Sequence, residues 1–121
     1  MKYVLISLML FLTMCNTNGD DDQVFCTEQY VYGLSVIVKV ANMNNIITEN
    51  MTVTARDGNY VETLISIEGI DSFFGAGQRS GNYVITVTSD NYQTYVSEVI
   101  TVEADECHVI PEKLEILLQL N

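Results

Sequence analysis

The residues able to do chemistry are few, and most lie near the C-terminal end. His108, the one histidine of the chain, directly follows Cys107 in the run Asp105-Glu106-Cys107-His108. A nucleophilic Cys–His pair needs an open thiolate facing an imidazole. Neighbours on an extended strand point to opposite faces, so these two are not expected to act together. Glu103, Asp105 and Glu106 supply carboxylates, but acid–base work requires apolar surroundings that raise a pKa. The local sequence offers no such pocket, and the acids read as a solvated loop. They would also suit Ca²⁺, a hard cation that takes oxygen ligands, yet their spacing does not match an EF-hand. Gly75-Ala76-Gly77-Gln78-Arg79-Ser80-Gly81 has closely spaced glycines but no Lys-Ser/Thr, and a strand follows where a phosphate-cradling loop would open a helix. The expectation is therefore no catalytic residue, no metal and no cofactor. The glycine-rich stretch reads as a mobile loop, and loops at the ends of a rigid scaffold carry binding surfaces. Phe73, Phe74, Gln78 and Arg79 are accordingly the candidate binding loop.

A chain of 121 residues that is 48% hydrophobic has room for one core. Its net charge of −11, from sixteen acids against five bases, excludes a nucleic-acid partner, because phosphate contacts need clustered Lys and Arg.

The apolar surplus is uneven. Met1-Lys2-Tyr3 is a short basic head, and Val4 to Met14 is almost purely apolar. As a helix that run reaches roughly 16 Å, about half of a bilayer's hydrocarbon core, which suits the h-region of a signal peptide over residues 1–14. Leu12-Thr13-Met14-Cys15 resembles the lipobox of bacterial lipoproteins, in which a Leu stands three places before the Cys that is lipidated. Met14 departs from the pattern, which usually holds Gly, Ala or Ser there. The resemblance implies that Cys15 becomes a lipidated N-terminus and that the partner of this end is a membrane. Asn16-Thr17-Asn18-Gly19-Asp20-Asp21-Asp22 looks like the export tethers of Bacteroidetes lipoproteins. Its like charges repel and keep residues 15–25 extended. The implied location is the outer membrane or cell surface of a Gram-negative bacterium.

With Cys15 assigned to lipid, Cys26 and Cys107 remain as an even pair, expected to be oxidised outside the cytoplasm. Metal binding or free thiols are the rival readings, but two sulfurs and one histidine make a poor site.

From Gly33 onward the hydrophobic period is two. Leu34, Val36, Val38 and Val40 alternate with more polar positions, as do Val53 and Ala55, and Tyr83, Ile85 and Val87. Short β-branched runs of this kind are strands with one buried face. Asp57-Gly58 marks a hairpin, and Ala41 to Asn45 is a loop in which Asn tolerates positive φ. Strands are expected near 33–41, 50–57, 60–67, 72–75, 82–88, 92–102 and 107–120, and the last fits a helical stripe less well than a strand. This spacing predicts an all-β fold, a seven-stranded antiparallel sandwich over residues 26–121.

Gly81-Asn82-Tyr83-Val84-Ile85-Thr86-Val87, followed by Asn91-Tyr92, resembles the Gly-x-Tyr signature of carboxypeptidase regulatory-like domains. Val53-Thr54-Ala55-Arg56-Asp57-Gly58 is similar to that family's second strand and turn. The resemblance implies a transthyretin-like (prealbumin-like) Greek-key sandwich, with Tyr83 and Tyr92 in or beside the core. Asn91 stands where the family has Gly, in a turn expected to need positive φ. The family's hydrolase branch ends in Tyr-Arg-Gly-Ser. This chain ends Leu-Gln-Leu-Asn, so that activity is not carried over. The expected function is a non-catalytic, lipid-anchored binding or structural module. The alternative is a carbohydrate- or peptide-binding accessory module of an uptake or degradation complex, stacking its ligand on Tyr30, Tyr32, Phe73, Phe74 or Tyr95.

Overall fold

A computed structural model describes residues 24–121. The leader 1–14, Cys15 and the acidic part of the tether lie outside the described residues. The described chain is all-β. Ten strands follow in order: β1 Tyr32–Val40, β2 Ile46–Ile47, β3 Thr52–Asp57, β4 Tyr60–Thr63, β5 Ile65–Ser66, β6 Phe73–Gly77, β7 Gly81–Thr88, β8 Tyr95–Val96, β9 Ile100–Val102 and β10 Glu112–Leu118. They form two packed sheets. One runs β10-β1-β6-β5 with β2 also on β1, and the other runs β4-β3-β7-β8 with β9 also on β7.

The alternation seen in the sequence becomes the core. Leu34, Val36 and Val38 of β1 and Ile116 and Leu118 of β10 point inward, facing Val53 and Ala55 of β3 and Tyr83, Ile85 and Val87 of β7. Each large side chain among them contributes about 1.5–3 kcal/mol by leaving water. Many outward positions of the second sheet are threonines: Thr54 lies opposite Thr63 and Thr86, and Thr52 opposite Thr88, with Arg56 and Val84 continuing the same face.

Several features depart from the simple seven-strand antiparallel scheme. The expected strand 60–67 is two strands in different sheets. Leu64 sits at the switch, 4% exposed, and its N–H donates to Val53 O at 2.8 Å. A strand that changes sheet in this way closes a corner of the sandwich. The C-terminus closes another, where Leu120 bridges Tyr92 and Gln93 N–H donates to Gln119 O. The segment 92–102 is likewise broken into β8 and β9, with Ser97 Oγ accepting from Ile85 N–H at 2.8 Å.

Pairings are antiparallel except one: β1 and β10 run parallel, with Val36 opposite Leu114 and Val38 opposite Ile116. Parallel neighbours need a long crossover. Here the whole second sheet lies between them in sequence.

The glycine-rich stretch is not a mobile loop. Gly75 and Ala76 are buried in β6, and Ala76 N–H donates to Glu62 Oε1 at 3.0 Å. A Cβ on Gly75 would stand 2.7 Å from Leu64 Cγ, so Gly75 admits the corner side chain. Nor does Asn91 take positive φ. The asparagines that do are Asn42 and Asn50, while Asn91 N–H donates to Ser89 Oγ in a local turn.

Candidate functional site

The four residues of the expected binding loop separate. Phe73 turns inward and is 4% exposed, so it belongs to the core. Phe74 points to the outer face of the first sheet, in register with Ser35 of β1 and Ile65 of β5. Gln78 is tied to the chain ahead of β1: its Oε1 accepts from Val31 N–H at 3.1 Å, and its N–H donates to Val31 O at 2.8 Å.

Arg79 turns to the other sheet. Its Nη1 donates to Asp57 Oδ2 at 3.0 Å and to Tyr83 Oη at 2.9 Å. The Tyr83 hydroxyl in turn donates to Arg79 O at 2.8 Å. The guanidinium lies 3.7 Å above the Tyr60 ring centre. The hydrogen bond to Tyr83, with that to Asp57, holds the Arg79 pKa above its ordinary value. The Tyr60 hydroxyl donates to the Glu62 carboxylate at 2.7 Å, and this bond raises the phenol's pKa. Gly81 leaves the space this knot occupies, since a Cβ there would collide with the Asp57 carboxylate. The Gly81-x-Tyr83 spacing therefore has a structural meaning: it locks the β6–β7 turn onto the β3–β4 hairpin.

Phe74 finds its aromatic partners in two of the other stacking candidates, Tyr32 and Tyr30. Tyr32 packs against it with ring centres 5.5 Å apart, and Tyr30 meets Tyr32 edge-on at 5.2 Å. The three rings form one wall of a shallow groove of about 270 Å³. Gln29, Val31, Ser35, Pro111 and Lys113 line the rest of it. The register explains this grouping: Lys113, Ser35 and Phe74 are neighbours across three adjacent strands and share the outer face. Lys113 makes no ion pair among the described residues, whereas Lys39 pairs with Glu115 and Arg79 with Asp57. Tyr95 is absent from the groove and packs against the core, as does Tyr92.

A larger depression of about 550 Å³ lies at the far end of the second sheet, between Asn50, Thr52, Thr88 and Asp90. Its walls are amides, hydroxyls, one acid and the Met51 side chain, with no aromatic surface. The aromatic groove is the better candidate because it joins stacking surface to a cation, a hydroxyl and an amide. That is the composition of small-ligand sites, which are largely apolar with a few placed polar groups.

The groove's Tyr30 wall comes from an extended strap, Val24–Val31, that precedes β1. Cys26 on the strap and Cys107 lie at disulfide distance, with Cα atoms 5.2 Å apart across 81 residues of sequence. His108 holds the strap too. Its Nε2 lies 3.2 Å from Gln29 O and 3.3 Å from Thr27 Oγ1. A carbonyl only accepts, so Nε2 carries the ring proton in this contact. Asp105 Oδ1 accepts from both Cys107 N–H and His108 N–H at 2.8 Å. These two amides, that of His108 first, hold the Asp105 carboxyl below its ordinary range. The acidic run thus builds a turn that presents Cys107 and His108 to the strap. Among the described residues no three His, Cys, Asp or Glu side chains converge as a metal site. Sequence reasoning named Tyr30, Tyr32 and Phe74 as stacking candidates but missed Ser35, Pro111 and Lys113, whose nearness follows from the β1–β10 pairing. No protein-family model matches the chain, and no curated protein matches it.

Proposed function

We propose that this chain is a non-catalytic, lipid-anchored protein of the Gram-negative cell envelope, whose sandwich is a transthyretin-like, carboxypeptidase regulatory-like module displaying the aromatic groove as its binding surface. The single observation that carries the binding role is the grouping of Tyr30, Tyr32 and Phe74 with Lys113 around one groove on an outward sheet face. Aromatic side chains placed there are not needed to fill the core, which Phe73 and Tyr83 serve from within. The lipobox resemblance at Cys15 supports the anchor, and the Cys26–Cys107 pair supports an exported protein.

Among ligands, the groove favours a sugar ring or the side chain of an extended peptide. An apolar face would stack on Phe74 and Tyr32, while Gln29, Ser35 and Lys113 would meet hydroxyl or carboxylate groups. The membrane role is tested by fractionating cells that express Cys15→Ser, and a variant that still sediments with membranes removes the anchor from the proposal. Binding is tested by a glycan array and a peptide pull-down with the wild-type domain beside Tyr32→Ala/Phe74→Ala. Ligands retained equally by both proteins place the binding surface elsewhere, and silence in both assays leaves a structural role.

A further inference from the structure

The Cys26–Cys107 pair stands outside the buried core cluster. Cys26 is exposed and Cys107 half-buried. What the pair joins is a strap with no strand partner to the turn between β9 and β10. The strap's other attachments among the described residues are His108 on Gln29 and Thr27, the exchange between Val31 and Gln78, Cys26 Sγ against Glu106 O, the Tyr30 ring over Gly77 and edge-on to Tyr32, and Val31 against the core at the strap's end. Residues 24–30 are otherwise exposed. Yet this strap supplies Gln29 and Tyr30 to the groove.

We propose that Cys26–Cys107 is a redox-operated clasp on the aromatic groove. Oxidised, it holds the strap down and the groove is complete. Reduced, the strap lifts, the groove loses its Tyr30 wall, and the sandwich stays folded. The inference rests on the groove being the binding surface.

The chemistry is thiol–disulfide exchange with a dithiol reductant. One thiolate of the reductant attacks the sulfur of Cys26, the more exposed of the two. The Cys26–Cys107 bond breaks, a mixed disulfide forms on Cys26, and Cys107 leaves as a thiolate that takes a proton. The reductant's second thiolate then displaces Cys26, which leaves as a thiolate and is protonated in turn. Two electrons have passed from the dithiol, which ends as a disulfide. Without the covalent link, chain entropy favours release of an exposed segment held by so few hydrogen bonds.

Hydrogen exchange on the full chain, with and without dithiothreitol, tests this, alongside Cys26→Ser/Cys107→Ser without reductant. The expected result is that the amides of Val31 and Gln78 exchange at least about tenfold faster once the bond is absent. Amides of Val36, Val53 and Ile85 keep their protection, and chymotrypsin cuts faster after Tyr30. Equal exchange at Val31 and Gln78 in both states would overturn the proposal, because the strap would then be held without the bond. Loss of protection at Val36, Val53 and Ile85 together with the strap would also overturn it, since the bond would be a staple of the whole fold. The readout needs no ligand and no membrane. A strap that opens on a protein that binds nothing on the arrays therefore removes the binding function and leaves the clasp.

Discussion

Substituting Tyr83 by Phe tests the knot that ties the β6–β7 turn to the β3–β4 hairpin at one end of the second sheet. The Tyr83 ring is fully buried between the sheets, and its hydroxyl alone reaches the β6–β7 turn. Tyr83→Phe keeps the ring and opens no cavity, so it isolates the hydroxyl's two bonds, to Arg79 O and from Arg79 Nη1. At about 1 kcal/mol net for each bond, the loss is about 2 kcal/mol. A domain of this size shifts by about 4–8 °C per kcal/mol, so Tm falls by about 8–16 °C. Thermal melting by circular dichroism reads the shift, and urea unfolding reads a lower midpoint at unchanged slope. Gly81→Ala attacks the same knot from another side. Its Cβ would meet the Asp57 carboxylate and stand 3.1 Å from Arg79 Nη1. The φ of Gly81 is not in the left-handed region, so the effect is steric alone. Because both changes break one arrangement, the double variant loses less than the sum of the singles. Tyr92→Phe is the control, as its hydroxyl has no hydrogen-bond partner among the described residues. A Tyr83→Phe protein melting within about 2 °C of wild type, or full additivity with Gly81→Ala, refutes the reasoning.

Gly77→Ala places a methyl where the Tyr30 ring lies, so chymotrypsin cleavage after Tyr30 speeds up while the melting temperature changes little. Leu64→Ala empties the corner where the chain changes sheet and lowers stability by about 2–5 kcal/mol in urea unfolding. The Asp105 carboxyl is held below its ordinary value of 3.8 by the amides of His108 and Cys107. A group with a depressed folded pKa contributes in full above the unfolded value and loses that contribution as pH falls through the folded one. The turn therefore loosens only as pH drops below 3.8, seen as faster exchange of the His108 amide. Asp105→Asn keeps an accepting oxygen and removes this pH dependence, whereas Asp105→Ala loosens the turn at neutral pH.

The period-two runs of β1, β3 and β7 were legible because each needs only its own alternation: a strand with one buried face shows that face in every second residue. The hairpin at Asp57-Gly58 was legible for the same local reason. It is observed with Gly58 at φ 63° and Asp57 opposite Tyr60. The Cys26–Cys107 pairing was expected only once the lipobox resemblance assigned Cys15 to lipid. The glycine-rich stretch misled because closely spaced glycines mark flexibility or close packing alike. Only the presence of Leu64 against Gly75 distinguishes the two.

The amino-acid order by itself therefore determined the all-β class, most strand positions and the aromatic residues available for stacking. Tertiary structure alone decided that Phe73 and Phe74 part company, that Arg79 is locked in a knot, and that Lys113 lines the same groove as Tyr32 and Phe74. The physical reason is range. Alternation and turn chemistry act between residues a few places apart. The parallel pairing of β1 with β10 and the sheet switch at Leu64 satisfy backbone hydrogen bonds between segments distant in sequence, and no local pattern encodes which distant edge will meet which.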